Sequence, residues 1–133
     1  SAKWATKQQL DHLDWPSKWV MVAGPYTGTS DDPLDWAANW RRLNEAALAL
    51  FRAGCMPILG LNLAKPIADV AGGAEDEHWD LTTRLSLELV ERCDACLRLD
   101  GPSRGADAEV ARFVALGKPV FRSIEQLIEE LGV

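Results

Sequence analysis

Four short apolar runs, Trp19 to Ala23, Met56 to Leu59, Ala95 to Leu99 and Pro119 to Phe121, alternate along this chain with longer stretches whose apolar residues recur at helical spacing. Strands this short and this continuously apolar need cover on both faces, so the alternation calls for a parallel sheet with helices on each side and right-handed crossovers. The first helix is marked by the capping candidates Ser30, Asp31 and Asp32, by Pro33 in its first turn, and by Trp36, Trp40, Leu43, Ala47 and Leu50 up to Gly54. Trp36 and Trp40 read as core. A further helix is expected from near Asp76 to Arg92, behind the acidic cluster Glu75-Asp76-Glu77, and another from Asp107 to Leu116. Ser123-Ile124-Glu125-Gln126 has capping-box spacing and opens the last one. Leu61 to Gly73 reads as mixed, with Pro66 and Gly72-Gly73 as breakers.

The expected architecture is a small doubly wound α/β domain, flavodoxin-like or Rossmann-like. Its mostly parallel sheet has four to five strands in the order 2-1-3-4, with helices on both faces. That domain spans residues 19–133, preceded by an arm or short helix over residues 1–18 that carries Trp4, Leu10, Leu13 and Trp15. In such a sheet a crevice opens where the winding reverses, between the C-terminal ends of the first and third strands. Two loops meet there, Gly24 to Ser30 and Asp100 to Ala106.

Composition narrows the partners. The 133 residues suffice for one domain with a core of its own, and 14 basic against 20 acidic residues leave a net charge of −6. That balance argues against a nucleic-acid polymer or an anionic membrane as partner. No apolar run approaches a membrane span or a signal-peptide core, so the chain reads as cytoplasmic. Three cysteines form no disulfide framework. Cys93 and Cys96 stand where a helix ends and a strand begins, the reverse of a redox pair's place, and His12 and His78 lack the spacing to complete a zinc site. No metal and no cofactor is expected.

The chemistry concentrates at the crevice. Gly24-Pro25-Tyr26-Thr27-Gly28-Thr29-Ser30 is small and rich in hydroxyls, suited to close approach to a sugar or phosphate, though it also has the composition of a plain surface turn. It matches neither the dinucleotide G-x-G-x-x-G nor the P-loop pattern. Tyr26, the only tyrosine, either orients a carboxylate or sugar oxygen or is an aromatic body with a wet tip. In the second loop Ser103 suits an N-cap or a phosphate ligand, Arg104 can reach an anion, and Gly105 leaves space. Glu109 should lean back over Ala106 and Gly105. The helix dipole and free N–H groups are expected to hold it ionised at neutral pH, as a nucleophile would require. The competing reading is a solvated surface glutamate paired with Arg112 or Arg104. Asp107 is expected to stabilise the first turn of its helix.

At these residues the chain resembles the nucleoside 2-deoxyribosyltransferase-like superfamily, which includes the 2′-deoxynucleoside 5′-phosphate N-hydrolases. The similarity runs through Val22-Ala23-Gly24-Pro25-Tyr26, Phe51-Arg52-Ala53-Gly54, Cys93-Asp94-Ala95, Gly101-Pro102-Ser103-Arg104-Gly105-Ala106-Asp107-Ala108-Glu109 and Leu116-Gly117-Lys118-Pro119-Val120. It implies cleavage or transfer at the N-glycosidic bond of a nucleoside or nucleotide, with Glu109 as nucleophile and Tyr26 assisting. Gly24, Pro25, Thr27, Gly28, Ser86, Ser103, Arg104 and Gly105 would hold the substrate. Ser103, six residues before Glu109, matches the nucleotide hydrolases and implies a 5′-monophosphate. Where the family usually has an aspartate eight residues before Asp94, this chain has Ser86, and Val20 and Met21 replace a first-strand tyrosine; Tyr26, Asp80 or Glu88 are candidates to substitute. The resemblance also implies a homodimer or larger homo-oligomer, and a non-catalytic nucleotide-binding module is the alternative on the same fold.

Overall fold

The computed structural model describes residues 17–72 and 75–133. The expected arm, with Trp4, Leu10, Leu13 and Trp15, lies outside the described residues, as does His12. Strand β1 (Trp19–Ala23) leads to helix α1 (Pro33–Arg52), β2 (Met56–Ile58), α2 (Gly60–Ala71), α3 (Glu75–Arg92), β3 (Ala95–Arg98), α4 (Arg104–Ala115), β4 (Val120–Phe121) and α5 (Ile124–Leu131). The sheet has four strands, all parallel, in the order β2-β1-β3-β4. Among the described residues no helix is long and apolar enough to cross a membrane.

Strand β1 is buried along most of its length, and its alternation splits the core in two. Val20 and Val22 face one side, where they join Leu43 and Leu50 of α1, Leu97, Phe121 and Leu127 of α5. Met21 and Ala23 face the other and join Val90 of α3, Cys96, and Ala106 and Phe113 of α4. This two-sided cover is what continuously apolar strands require. Cys55, Cys93 and Cys96 are all buried free thiols, and burial pushes those of Cys93 and Cys96 up to about 12, which leaves them protonated packing groups.

Helix starts follow side-chain chemistry. Asp32 accepts from the Leu34 amide at 2.9 Å, Ser103 from Ala106 at 3.1 Å and Ser123 from Gln126 at 3.1 Å, so each caps its helix. Helix α4 therefore begins at Arg104, three residues ahead of the expected Asp107, because Ser103 is the cap. The stretch read as mixed is also corrected. It forms the continuous helix α2 with Pro66 inside it. Pro66 is exposed and its ring faces away from the core, while small Ala64 and Ala68 are buried on the opposite side. Tertiary packing thus outweighs the loss of one helical hydrogen bond. Gly72 closes the helix in the left-handed conformation, the part of the breaker reading that the structure bears out.

Gly101 holds the β3–α4 turn at φ +118, and a methyl group there would lie 2.8 Å from Cγ of buried Pro25. Gly101→Ala is expected to cost about 1–3 kcal/mol through the forbidden dihedral and the collision together. Chemical denaturation measures it; an unchanged midpoint would show that the turn has another accessible geometry.

Candidate functional site

The C-terminal ends of β1 and β3, the loops that follow them, and helices α2 and α3 enclose a cavity of about 740 Å³. That volume lies in the range of small-molecule sites. Gly24, Tyr26, Thr27 and Gly28 from the β1–α1 loop line it, as do Ser103, Arg104 and Gly105 at the start of α4, Ser86 from α3, and Glu109. Pro25 does not. It is buried beneath the loop against Gly101, where it shapes the backbone rather than touching the cavity. Gly24 is needed for packing, since a methyl group there would come within 2.9 Å of Leu43 and 3.1 Å of Leu99.

Glu109 sits one and a half helical turns below Ser103 on α4. Its carboxylate does not rest over Gly105, which has open space where a side chain would project. It lies instead beside Ser86 of α3, whose hydroxyl favours its charged form, and the two meet beside Gly60, the first residue of α2. A methyl group on Gly60 would collide with the Ser86 hydroxyl and lie 3.3 Å from Glu109 Oε2. Only glycine leaves that corner open. Burial pushes the Glu109 carboxyl up to about 7, while the Ser86 hydrogen bond and the positive charge of Arg98 pull it partway back. The expectation of a fully ionised group held by the helix dipole is therefore corrected: desolvation outweighs the donors around it. The surface-glutamate reading also falls, because Arg112 pairs with Glu91 and Arg104 lies 3.8 Å above the ring of Trp79.

The loop that carries Ser103 and Arg104 is held from below by Arg98, only 5% exposed. Its guanidinium donates to the Leu99 carbonyl, to the Gly101 carbonyl at 2.9 Å and to Asp107 Oδ1 at 3.1 Å. Asp107 thus serves as a counter-ion as well as a first-turn acid. Ser103 also reaches back toward the Gly24 carbonyl at 3.4 Å and so ties the two crevice loops together.

Aromatic rings line the side of the cavity formed by α1. The Tyr26 ring lies 6.2 Å, centroid to centroid, from both Trp36 and Trp40, and Trp40 donates to Asn62 at 2.8 Å. Trp36, read as core, belongs to the cavity wall; Trp40 packs against the core as expected. Neither Asp80 nor Glu88 lines the cavity, so neither replaces the missing family carboxylate there.

Several lining residues escaped the sequence. Lys65 and Asp69, paired at 2.8 Å, lie on α2, which the mixed reading concealed. Trp79, Thr82, Thr83 and Leu87 recur at helical spacing with the expected Ser86 along one face of α3, a signal present in the sequence but indistinguishable there from a core stripe. Compared with known proteins, the chain matches no family model and no curated protein.

The raised carboxyl predicts a stability signature. Below its ordinary value of 4.5 the group is neutral in both folded and unfolded chains; between 4.5 and about 7 the unfolded chain ionises while the folded one keeps its proton. Stability therefore falls as pH rises through that window, and the loss is complete above about 7. Glu109→Gln should remove this contribution and gain on the order of 1–3 kcal/mol over wild type at pH 8 relative to pH 5. Thermal melts at both pH values test it; a parallel shift at both would place the carboxyl in water.

Proposed function

We propose that this chain cleaves the N-glycosidic bond of a nucleoside 5′-monophosphate, with Glu109 as nucleophile. The observation that supports it most directly is the placement of one partly buried carboxylate in a cavity large enough for a nucleotide, on the same helix whose capped N-terminus lines that cavity. A 5′-phosphate fits the start of α4, where Ser103, the Arg104 guanidinium and first-turn N–H groups offer donors. The sugar then lies between those donors and Glu109, and the base reaches toward Tyr26 and Trp36.

In the reaction a Glu109 oxygen attacks the anomeric carbon as the bond to the base nitrogen breaks. The base leaves with the bonding electron pair and takes up a proton. Water then attacks the same carbon, releases the sugar phosphate and regenerates the carboxylate, the two-step logic of retaining glycosidases. Ser86, beside Glu109, helps keep it ionised. Transfer to a second base instead of water uses the same first step.

A binding-only module on the same cavity is the second reading. Among the described residues Asp69 is the other carboxylate of the lining, and it is engaged with Lys65, so that set offers no second free carboxyl to protonate the leaving base.

Incubation with ribo- and deoxyribonucleotides, with free base separated by chromatography, distinguishes the two. Wild type should release base, with a rate that rises with pH toward a plateau above about 7, the value of the Glu109 carboxyl. Glu109→Gln should bind comparably and release base several powers of ten more slowly. Saturable binding without release would favour the module. Ser103→Ala should weaken nucleotides by about 1–3 kcal/mol and leave nucleosides unaffected. Equal weakening of both would confine Ser103 to capping.

A further inference from the structure

Helix α2 brings to the cavity an ion pair that the chemistry above does not use. Lys65 and Asp69 stand one helical turn apart, with the ammonium 2.8 Å from the Asp69 carboxylate, and both line the cavity. Their side chains are 25% and 60% exposed, so both remain within reach of a ligand. The pair has a fixed seat. The Lys65 ammonium lies 5.9 Å from the centre of the Trp40 ring, and that ring is tied to Asn62, which accepts from Trp40 at 2.8 Å and donates to Asn44 at 2.7 Å. The hydrogen bond to Asp69 raises the lysine's pKa more than burial lowers it, so the ammonium is a standing donor and not a source of protons.

Among the described residues, Lys65 on α2 and Arg104 on α4 thus bring positive charge to two walls of the cavity. Lys65 follows Gly60, the neighbour of Glu109, by five residues, and Arg104 precedes Glu109 by five, so each stands about 7.5 Å along its helix from the level of the carboxylate. A nucleotide forks likewise at its anomeric carbon, with the base on one side and the sugar phosphate on the other. The chemistry of the two ends decides which arm goes where. Arg104 has no carboxylate partner among the described residues and stands at the N-terminus of α4, where donors alone meet a phosphate's acceptors. At the other end Asp69 would repel a phosphate, and it sets an acceptor beside the Lys65 donor. The edge of a nucleobase carries the complementary pattern, a carbonyl or ring nitrogen next to an N–H, and Tyr26 and Trp36 supply aromatic faces for its ring. We infer that Lys65 and Asp69 read the base: Lys65 donates to a ring nitrogen or carbonyl of its edge, and Asp69 accepts from the adjacent N–H. The inference rests on the nucleotide reading of the site.

The test measures affinity by calorimetry on the Glu109→Gln background. The ligands are the nucleoside 5′-monophosphates of each base, in ribo and 2′-deoxy form, and ribose 5-phosphate, which has no base. The tightest nucleotide is also compared with its analogue methylated at the N–H of the base edge. An exposed pair within one helix adds little to stability, so Lys65→Met and Asp69→Ala should melt like the parent. Each should weaken nucleotides roughly tenfold or more and leave ribose 5-phosphate unaffected. The methylated analogue should bind the parent roughly tenfold more weakly than its nucleotide and lose that handicap on Asp69→Ala. Equal weakening of ribose 5-phosphate would put the pair against the sugar phosphate and overturn the inference. Nucleotide affinity indifferent to both variants, or a methylated analogue bound as tightly as its nucleotide, would overturn it as well, while intact nucleotide binding would leave the nucleotide reading standing. Dependence on the pair without base release by wild type would leave the inference standing and sink the hydrolase reading. Failure of the parent to bind any nucleotide would remove the nucleotide site and the base assignment with it.

Discussion

One buried guanidinium fixes the part of this molecule on which its chemistry depends. Arg98, at the end of the central strand β3, gives up nearly all contact with water, and its charge must find partners inside the protein. It finds two carbonyls of the turn that follows, Leu99 and Gly101, and the carboxylate of Asp107 one turn into α4. Those three partners dictate how the chain leaves the sheet and where the helix starts. Ser103 can cap only because that turn is held, and Glu109 reaches the cavity floor only because the helix begins where it does. Truncating Arg98 would leave the turn's carbonyls and a carboxylate without their donor, a deficit that propagates to both ends of the site.

Glu109 shows the opposite balance. A carboxylate near a helix N-terminus with a serine donor beside it would ordinarily stay ionised, yet its confinement between α2, α3 and α4 raises the carboxyl to about 7. Such a group is less hydrated and more basic than a surface glutamate. Ser86 offsets part of the rise. A second carboxylate at position 86 would repel the charge on Glu109, whereas the hydroxyl there favours it, so the serine changes the electrostatics of this carboxyl.

The fold was legible because its determinants are local. The four apolar runs, the capping residues Ser103 and Ser123 and the 2-1-3-4 order can all be read from short stretches, and the structure reproduces them. Helix α2 was not legible, since Pro66 is a breaker by every local rule and is tolerated only because its side of the helix faces solvent. That error hid Gly60, Lys65 and Asp69 from view. The crevice loops were found from topology, but the environment of Glu109 was not. Its neighbours Ser86 and Gly60 are distant in sequence, and no spacing rule along α4 reports on residues that pack from the other side.

The stacking of Arg104 on Trp79 has a kinetic side. An arginine free in solvent samples many rotamers and loses that freedom when it grips an anion. Resting 3.8 Å above an indole, this guanidinium is already confined, while the N–H groups around its planar edge remain able to donate. An anion binding under the proposed reading would meet donors that are preorganised, so little ordering would remain for the encounter itself. Trp79 thereby acts as a rest for the arginine, and any ligand of that guanidinium would dock onto a standing feature without first recruiting a mobile side chain.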